Sequence, residues 1–475
     1  MTVTTSGPLP GEVYDVVVIG AGVVGTAIAR ELTRYPLRVG LVEASDDVGD
    51  GTSKANTAIL HTGFDAVPGS LESRLVREGQ RRLSAYAERS GIPVEPLGAL
   101  LVAWDDEQLA ALPRLVAKAE RNEYHETRVI GPDELYAREP CLGPGALGAL
   151  DVPGESIICP WTTTLAYATQ AVREGTALHL NCRVKSVTSG SPHELATTRG
   201  PLRTHTLINA AGLYADEIDR ALGHADFTMT PRRGQLMVFD KLARDLVRHI
   251  LLPVPTALGK GVLVAPTVYG NVLLGPTAED LDDKEATGSS AEGLAFLREK
   301  GARIMPDLLE EEVTAVYAGL RAATEDDDYR IRCHPGQRYV TVGGIRSTGL
   351  TASMAIAAHV VELLAAAGQD PGTPRELAPV TMPNIGEAFP RPYQRADLIA
   401  SDPEYGRIVC HCERVSRGEI RDALAGTVPP GSLDGLRRRT RARGGRCQGF
   451  YCGAAVRALF APDGDEPSLR PEVGP

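Results

Sequence analysis

The sequence predicts an α/β (α+β) protein with more than one domain, and three observations support this. A short β-branched strand, Tyr14 to Gly20, leads into a helix with an apolar face, and a second apolar strand, Arg38 to Glu43, follows. Further strand-like and helix-like segments occur later in the chain. The chain has 475 residues, which is more than one hydrophobic core usually holds. We therefore expect two or three domains.

Composition argues against several classes of protein. The formal charge is −11, so no global positive field would attract a nucleic acid as the main partner. No run of about eighteen apolar residues occurs, so a membrane-spanning helix is not expected. Residues 1–12 lack a basic region followed by an apolar core, and we expect no signal peptide and a cytoplasmic protein. In that compartment, paired cysteines favour metal or redox chemistry over disulfides.

A glycine motif joins the first strand to its helix. Gly20-Ala-Gly22-Val-Val-Gly25 matches G-x-G-x-x-G, in which the glycines allow a tight turn, a close approach to a pyrophosphate and close helix–strand packing. The helix N-terminus then faces the phosphates, and Glu43 ends the second strand, where it can accept hydrogen bonds from ribose hydroxyls. Strand, glycines, helix, second strand and acid occur in order, which predicts a Rossmann-type dinucleotide site.

Later segments suggest that a second sheet interrupts the nucleotide-binding domain. Leu202 to Asn209 and Tyr339 to Ile345 have strand-like sequences, and Leu350 to Ala367 is predicted to be a helix. Two shorter strands, Gly261 to Ala265 and Asn271 to Gly275, lie between them. We expect these to belong to a mixed-sheet domain that covers the substrate.

The predicted boundaries are as follows. The main region takes residues 12–370, with nucleotide-binding parts at about 12–90, 155–225 and 325–370 and substrate-covering parts at about 91–154 and 226–324. A proline-rich stretch is predicted to form a linker or wrapping strap at 371–404. A small cysteine-containing domain at 405–462 and a disordered tail at 463–475 complete the chain.

Three further segments, taken with the glycine motif, resemble a known family. They run from Gly51 to Gly63, from Leu207 to Asp216 and from Gly344 to Ser353. In this order they resemble the D-amino-acid-oxidase-like flavoprotein superfamily, and within it the glycerol-3-phosphate dehydrogenase/oxidase and L-2-hydroxyglutarate oxidase branch. The resemblance covers about residues 12 to 370 and implies FAD, with its isoalloxazine ring between two domains.

The resemblance also implies which residues contact FAD. They are Gly20, Gly22, Val23, Val24, Gly25, Glu43, Thr52, Ser53, Val184, Ala211, Gly212, Gly344, Gly349, Leu350 and Thr351.

The resemblance places His61 near the flavin as the base for alcohol oxidation. Removal of a hydride from a carbinol carbon requires the hydroxyl proton to leave, and a neutral histidine is suited to accept it. The alternative is a structural histidine that caps a turn. The motif around His61 favours the catalytic interpretation.

An anionic substrate needs cations near the ring, and the resemblance implies Lys260 and Arg321 as phosphate-binding catalytic residues. Thr57 matches a hydroxyl position that helps to hold the phosphate. Arginine can bind a phosphate or carboxylate with two hydrogen bonds, and lysine adds a point charge. The alternative is that both cations are solvated surface charges.

Two positions depart from the family pattern. Arg346 stands where many relatives carry Glu, and Gln235 stands where relatives often have Glu. We expect both changes to make the site more positive, and Arg346 is included among the substrate-binding residues. A more positive site would favour a doubly charged substrate or one other than glycerol 3-phosphate.

Four cysteines near the C-terminus form two close pairs. The first pair is Cys410-His-Cys412 and the second is Cys447-Gln-Gly-Phe-Tyr-Cys452. Cys-x-Cys is tight for zinc, which usually takes pairs spaced by two to four residues. The pattern resembles the bacterioferritin-associated-ferredoxin-like domain and implies that these four thiolates bind a 2Fe–2S cluster. Zinc and disulfides are the alternatives.

An arginine-rich stretch precedes the second pair of cysteines. Backbone amides of Arg443 to Cys447 are expected to donate hydrogen bonds to the cluster sulfurs. The stretch has two equal interpretations: a solvated basic face, or charge compensation and docking of an acidic partner. Its arginines are Arg437, Arg438, Arg439, Arg441, Arg443 and Arg446.

These observations predict an FAD-dependent dehydrogenase for a small anionic hydroxy-compound, with glycerol 3-phosphate as the first candidate. Electrons are expected to leave singly through the 2Fe–2S cluster to a quinone or a partner protein, with peripheral contact at the inner face of the plasma membrane in the quinone case. Alternative enzymes are an L-2-hydroxyglutarate or other 2-hydroxy-acid dehydrogenase and an amine or imino-acid dehydrogenase. A non-enzymatic alternative is an electron-transfer subunit of a larger complex.

Overall fold

The structure, a computed structural model, describes residues 2–9, 11–255 and 261–461. Lys260 and the predicted disordered tail at 463–475 lie outside the described residues. Most of the described chain forms two large sheets with helices packed on them, and a small cysteine-containing domain follows.

The strands are short, and most are buried. In chain order they are β1 Thr2–Thr4, β2 Val13–Ile19, β3 Val39–Val42, β4 Ile59–Leu60, β5 Val94–Glu95, β6 Ala99–Ala103, β7 Arg128–Ile130, β8 Gly148–Val152, β9 Ser156–Ile158, β10 Ala177–His179, β11 Val184–Thr188, β12 His193–Thr197, β13 Gly200–Asn209, β14 Thr230–Phe239, β15 Ile250–Pro253, β16 Leu263–Pro266, β17 Val272–Gly275, β18 Glu279–Asp280, β19 Val313–Ala323, β20 Arg330–His334, β21 Tyr339–Gly343, β22 Ile408–Cys410 and β23 Val415–Ser416.

The α-helices range from one and a half turns to more than five. They are α1 Val23–Leu32, α2 Leu71–Ser90, α3 Asp106–Arg121, α4 Pro132–Arg138, α5 Pro160–Arg173, α6 Ala215–Ala221, α7 Ala291–Ile304, α8 Gly349–Ala366, α9 Ala396–Ser401, α10 Arg417–Leu424, α11 Leu433–Thr440 and α12 Gly453–Phe460.

The first sheet is the nucleotide-binding sheet. Its order is β1-β10-β3-β2-β13-β12-β11, and β21 pairs with β13 and β20. Strands β3, β2, β13 and β21 run parallel, and β2 reads Val-Val-Val-Ile because both of its faces are covered. Helix α1 packs against α5 and α8, and α2 packs against α8. The predicted Rossmann-type unit is thus present.

The second sheet is mixed and is built from two separate parts of the chain. Its order is β18-β14-β17-β16-β15-β6-β8-β7, with β19 paired to β14. Strands β6 to β8 come from residues 99–152, and strands β14 to β19 come from residues 230–323. Strands β15 and β6 are parallel, whereas the other pairs are antiparallel. The expected interruption of the nucleotide-binding domain by a mixed sheet is confirmed.

Helix α8 is long and apolar enough to cross a membrane, and it is the one such helix in the described part of the chain. It is a core helix of the first domain, because it packs between α1 and α2 and buries ten of its residues. Such buried helices match the composition of a membrane span without being one.

The segment after α8 lies across the surface of both large domains. The amides of Arg375, Met382 and Glu387 donate hydrogen bonds to backbone carbonyls of Arg34, Ser90 and Val268. Its apolar side chains are buried; they are Val380, Met382 and Ile385. These contacts make the segment a wrapping strap rather than a free linker. Residues 396–406, at the end of the predicted linker, form helical turns that pack against α10.

The C-terminal domain has its own small core. Ile420 of α10, Leu436 of α11 and Val456 of α12 are fully buried there. Cys410 and Cys452 are buried beside them. This core holds both cysteine pairs against the three helices.

Candidate active site and iron–sulfur centre

The predicted FAD-contacting residues gather at one edge of the nucleotide-binding sheet. Gly20, Glu43, Ala211 and Gly344 follow the carboxyl ends of β2, β3, β13 and β21, which are neighbours in the sheet. Ligands of open parallel sheets bind at this edge. Four motifs that are far apart in sequence therefore form one continuous site.

The glycine motif has the sterics that its spacing predicts. Gly20 has φ +96°, and a side chain there would lie 2.5 Å from the carbonyl oxygen of Ala210. A Cβ on Gly25 would lie 1.9 Å from the carbonyl oxygen of Gly20, so only glycine lets α1 pack this closely on the turn.

The N-terminus of α1 has the features of an anion-binding site. Its N-cap, Gly22, offers no side-chain hydrogen bond, and the first turn contains no acidic residue. The amide of Val23 donates to Ser53 Oγ at 2.9 Å, which brings the loop from Gly51 to Gly63 against the helix. An uncapped helix N-terminus favours a phosphate through its N–H groups and its dipole. This end of the cradle fits the FAD pyrophosphate.

Glu43 occupies the other end of the cradle. Its Oε2 accepts the Ala21 amide at 2.7 Å and its Oε1 accepts the Ser45 amide at 2.9 Å. Burial raises the pKa of Glu43, and the two amides act in the opposite direction. The amides fix the carboxylate at the end of β3, where a ribose would bind.

The remaining FAD-contacting predictions lie on five elements. Val184 begins β11, Gly212 begins a short 3₁₀ turn after β13, and Thr52 Oγ1 donates to the carbonyl of Leu320 at 2.8 Å. The others are in the first turns of α1 and α8; they are Val24, Gly349, Leu350 and Thr351.

His61 is held by a buried acid. Its Nδ1 lies 3.0 Å from Glu155 Oε2, and the side chain of Glu155 is fully buried. Glu155 Oε1 also accepts the amide and hydroxyl of Thr62, at 2.7 and 2.9 Å. The His61 amide donates to Thr351 Oγ1 at 3.0 Å, which ties His61 to the start of α8 and to the flavin side of the cradle.

Glu155 is a residue that the sequence reasoning missed. It lies in the short turn between β8 and β9, two buried strands whose one acid is Asp151 of β8. A lone carboxylate between buried strands is unusual because burial of a charge is costly without partners. The position of this acid between two buried strands was the one feature of the sequence that could have indicated its role.

Arg321 is a mostly buried cation on β19. Its Nη1 and Nη2 lie 3.4 Å from the carbonyl oxygen of Thr277, and in the parts of the chain described here no carboxylate pairs with it. Burial, and then the like charge of Arg232, lower the pKa of the Arg321 guanidinium. A buried guanidinium of this kind is compensated when an anion binds.

Arg321 and His61 are brought to the same loop. Tyr317 Oη donates to the carbonyl of Asn56 at 2.9 Å, and a Cβ on Gly319 would lie 2.3 Å from the carbonyl oxygen of Ala55. The loop in contact with β19 continues through Thr57 to His61. The structure thus gathers three of the predicted substrate residues along one loop and strand.

Arg346 and Gln235 have their own partners. Arg346 Nη1 donates to Asp327 Oδ1 at 2.7 Å, so its predicted contact with substrate remains a prediction. Gln235 is buried and faces α7, where its Oε1 accepts the Ser290 amide at 2.7 Å. The expectation that Gln235 makes the substrate site more positive is therefore wrong, because alternate residues of a strand point to opposite faces.

The four predicted cluster ligands form two pairs. The Cys410 and Cys452 thiols lie close enough to raise the pKa of Cys410, and the Cys412 and Cys447 thiols are neighbours in the same way. Among the residues that the structure describes, no three His, Cys, Asp or Glu side chains converge as ligands of a single metal ion. Two iron atoms with two protein thiolates each need this paired arrangement, whereas zinc needs four ligands around one point.

Backbone amides surround the thiols. Those of Arg443 and Glu413 point at Cys410, that of Cys447 points at Cys412, and those of Tyr451, Gly449 and Phe450 point at Cys447. Burial raises the pKa of Cys410 to about 11, while the amides, led by Tyr451, lower the pKa of Cys447. The predicted role of the Arg443–Cys447 amides fits these contacts, which suit a negatively charged cluster.

The arginine-rich stretch is divided between surface and interior. Arg438, Arg439 and Arg441 are buried, and all three contact the large domains of the same chain. Arg441 donates to Glu413 Oε2 and to Asn271 Oδ1, and it lies over the ring of Tyr269 at 4.5 Å. For these three, the interpretation as a solvated basic face is wrong, because they are buried, and their contacts are with residues of the same chain rather than with a separate partner.

Comparison with known proteins agrees with this geometry. Residues 15–363 match the family described as FAD dependent oxidoreductase (DAO), and residues 408–462 match the BFD-like [2Fe-2S] binding domain. A glycerol 3-phosphate dehydrogenase of Caloramator mitchellensis is 35% identical over 94% of this chain and 94% of its own length. The human mitochondrial L-2-hydroxyglutarate dehydrogenase is 29% identical over 56% of this chain and 61% of its length.

A solved structure shares the fold of the two large domains. The FAD-bound L-alpha-glycerophosphate oxidase of Mycoplasma pneumoniae, reduced with dithionite, has 30% sequence identity and a TM-score of 0.71. It covers 78% of this chain and 97% of its own length. The chain is an FAD-dependent oxidoreductase of the DAO family with a C-terminal BFD-like 2Fe–2S domain.

Proposed function

We propose that the protein oxidises glycerol 3-phosphate to dihydroxyacetone phosphate and passes the electrons through its 2Fe–2S cluster to a quinone or an acceptor protein. The observation that carries the proposal is the buried Arg321 guanidinium without a carboxylate partner among the described residues, beside the loop that leads to the His61–Glu155 pair. A guanidinium without a carboxylate partner can bind the phosphate of a small substrate. The histidine can accept the proton of the substrate hydroxyl.

The His61–Glu155 pair defines which ring nitrogen acts. A carboxylate only accepts hydrogen bonds, so Nδ1 of neutral His61 carries the proton and Nε2 is the base. Nε2 takes the hydroxyl proton of the substrate, and Glu155 stabilises the resulting imidazolium. FAD, when bound, supplies the hydride acceptor, and the cluster supplies one-electron transfer.

The substrate anion is held by residues of the loop and of β19. Arg321 and Thr57 bind the phosphate, and Lys260 adds charge, with Arg346 as a further candidate. Gly234 leaves the space next to the guanidinium, because a Cβ there would lie 2.8 Å from Arg321 Nη2. These contacts orient the carbinol carbon toward the flavin side of the cradle.

The relatives favour glycerol 3-phosphate over L-2-hydroxyglutarate. The glycerol 3-phosphate dehydrogenase from Caloramator aligns along nearly the whole chain, including the cluster domain, whereas the hydroxyglutarate relative aligns over 56% of it. A dicarboxylate would also pair with Arg321, so L-2-hydroxyglutarate is the second candidate.

The four cysteines would hold the cluster with Cys412 and Cys447 on its more exposed side, where an electron acceptor would approach. Cys412 and Cys447 are less buried than Cys410 and Cys452, and the loop between Cys447 and Cys452 exposes Phe450 and Tyr451 by 85% and 79%. Exposed aromatic side chains are typical anchors of interfaces. The protein would be cytoplasmic. This loop would contact either the inner face of the membrane, for a quinone acceptor, or a soluble acceptor protein.

An anaerobic spectral titration tests the function. We expect glycerol 3-phosphate to bleach the flavin band and the cluster band of the purified holoenzyme, with about 1.5 molecules of substrate needed per enzyme, because each substrate supplies two electrons and FAD and the cluster together accept three. L-2-Hydroxyglutarate, L-proline and glycine are the comparison compounds. Bleaching by hydroxyglutarate alone would move the assignment to the second candidate, and bleaching by none would remove the catalytic proposal.

Replacement of Arg321 by Met should raise the KM for glycerol 3-phosphate. Truncation of one member of a buried charge pair costs about 2–5 kcal/mol, which corresponds to about 30- to 4,000-fold. The measurement is the substrate dependence of flavin reduction in stopped flow. Arg332→Met is the matched control, because Arg332 is exposed and pairs only with exposed Asp226 in the described structure. An unchanged KM in Arg321→Met would place the anion elsewhere.

A further inference from the structure

We infer that the iron–sulfur domain is part of the FAD site, because Arg439 holds the FAD loop closed through the buried carboxylate of Asp47. The FAD loop is defined as residues 44–54, which follow Glu43 at the end of β3 and include Ser53, whose Oγ accepts the first amide of α1. The inference concerns retention of FAD and is independent of which substrate is oxidised.

The FAD loop borders the phosphate end of the cradle at two points. The amide of Gly49 donates to the carbonyl of Ala21 at 2.9 Å, within the glycine turn itself. Ser53 Oγ accepts the first amide of α1 at 2.9 Å. Because both contacts lie where the pyrophosphate binds, the position of this loop sets how tightly the cradle encloses FAD.

Asp47 joins this loop to the iron–sulfur domain. Its Oδ1 accepts Arg439 Nη2 at 2.7 Å, and its Oδ2 accepts Arg439 Nη1 at 2.5 Å. The carboxylate has no exposed surface, and the Arg439 side chain is 5% exposed. This two-pronged contact between buried groups spans nearly the whole sequence and fixes both distance and orientation.

Arg439 cannot follow the loop, because its own domain holds it. Its Nε and Nη2 donate to the carbonyl of Val428, and its Nη1 donates to that of Gly435. The two backbones also approach closely: a Cβ on Gly431 would lie 2.0 Å from the carbonyl oxygen of Asp46. The loop is therefore clamped against a rigid surface of α11.

Charge balance indicates that the arginines act on the loop rather than on the phosphates. Arg438 and Arg439 face three carboxylates, those of Asp47, Asp50 and Asp434. Lys54 and Arg437 share two of these carboxylates, but each of the two buried arginines has a carboxylate partner within the protein. Arg439 is thus a positioning residue for the FAD site.

The contact between Asp47 and Arg439 couples the binding of FAD to the docking of the iron–sulfur domain. Loss of Asp47 leaves Arg439 buried without a carboxylate, and loss of Arg439 leaves Asp47 with Arg438 alone, at 3.0 Å. Opening of the loop to water relieves the cost of the buried charge that has lost its partner. The FAD loop then no longer encloses the phosphate end of the FAD site. By reciprocity of linked binding, bound FAD strengthens docking of the iron–sulfur domain by the same free energy that docking adds to FAD binding.

The test uses the full-length holoenzyme with Arg439→Gln, Asp47→Asn and the double variant. FAD dissociation is measured from the fluorescence of released flavin, and iron and acid-labile sulfide are measured on the same samples. We expect each single variant to raise the Kd for FAD at least about tenfold with unchanged cluster content. The double variant should be no worse than Asp47→Asn alone, because Asp47→Asn already weakens the contacts of the carboxylate with both Arg438 and Arg439.

Two further variants separate this role from general damage. Arg437→Gln removes an equal charge from the exposed face of the same helix, where Arg437 binds Asp434, and should leave the Kd unchanged. Arg439→Lys keeps the charge without the two-pronged geometry and should give an intermediate Kd; it serves if Arg439→Gln does not fold. An unchanged Kd in Arg439→Lys and Asp47→Asn, or additive effects in the double variant, would overturn the inference.

Discussion

The His61→Ala protein should reduce its flavin with glycerol 3-phosphate about 10²- to 10⁴-fold more slowly than the wild type, since a positioned general base contributes that factor. The hydroxyl proton then has no acceptor at the Nε2 position. The measurement is the single-turnover rate of flavin bleaching under anaerobic conditions at saturating substrate. FAD content and the Kd for substrate should change little, because His61 contacts the cradle through its backbone amide.

Glu155→Gln provides the companion experiment. The amide fills the same space, but it presents a donor to the ring, and the carboxylate that stabilises the imidazolium is gone. We expect a loss in rate that shows in the chemical step and not in substrate binding. If His61→Ala bleached as fast as the wild type, the base would have to be another group.

The Cys447→Ser protein should lose its 2Fe–2S cluster and with it the transfer of electrons to one-electron acceptors. A serine hydroxyl is a much weaker ligand than a thiolate, and the paired thiols leave no spare cysteine near the second iron. Iron, acid-labile sulfide and the visible cluster bands are measured, together with turnover with an artificial acceptor that takes electrons from the cluster.

The flavin half-reaction separates loss of the relay from loss of the enzyme. Glycerol 3-phosphate should still bleach the flavin of Cys447→Ser at the wild-type rate, because Cys447 lies in the small domain and does not contact the His61 site. Cys141→Ser is the matched control, since Cys141 is a free cysteine of the mixed-sheet domain. Wild-type turnover with intact cluster bands in Cys447→Ser would remove this cysteine from the ligand set.

Local patterns were enough for the parts of the fold that repeat a known geometry. The order strand, Gly20-x-Gly22-x-x-Gly25, helix, strand and Glu43 predicts the cradle, because the glycines and the acid act on the cofactor from fixed places at strand ends. The spacing of Cys410, Cys412, Cys447 and Cys452 likewise predicts a paired thiol centre. Gln235 shows the limit: its position in a motif did not reveal that its side chain points away from the site.

The buried ionic contacts had no such pattern. Asp47 and Arg439 are 392 residues apart, and Glu155 is 94 residues from His61. The sequence does not show whether a charged side chain is surrounded by water or paired with an opposite charge. Its burial and its partner are known only once the chain is packed in three dimensions.

The sequence by itself determined the dinucleotide cradle and the cysteine pairs, because each depends on short-range spacing along one strand, turn or helix, and its family resemblance predicts His61 as the base. Only the tertiary structure decided that Glu155 contacts His61, that Arg321 is left without a carboxylate in the described residues, and that Arg438 and Arg439 of α11 contact Asp47. Each of those facts is a contact across the chain, and its energy depends on how much water the folded domains exclude from it.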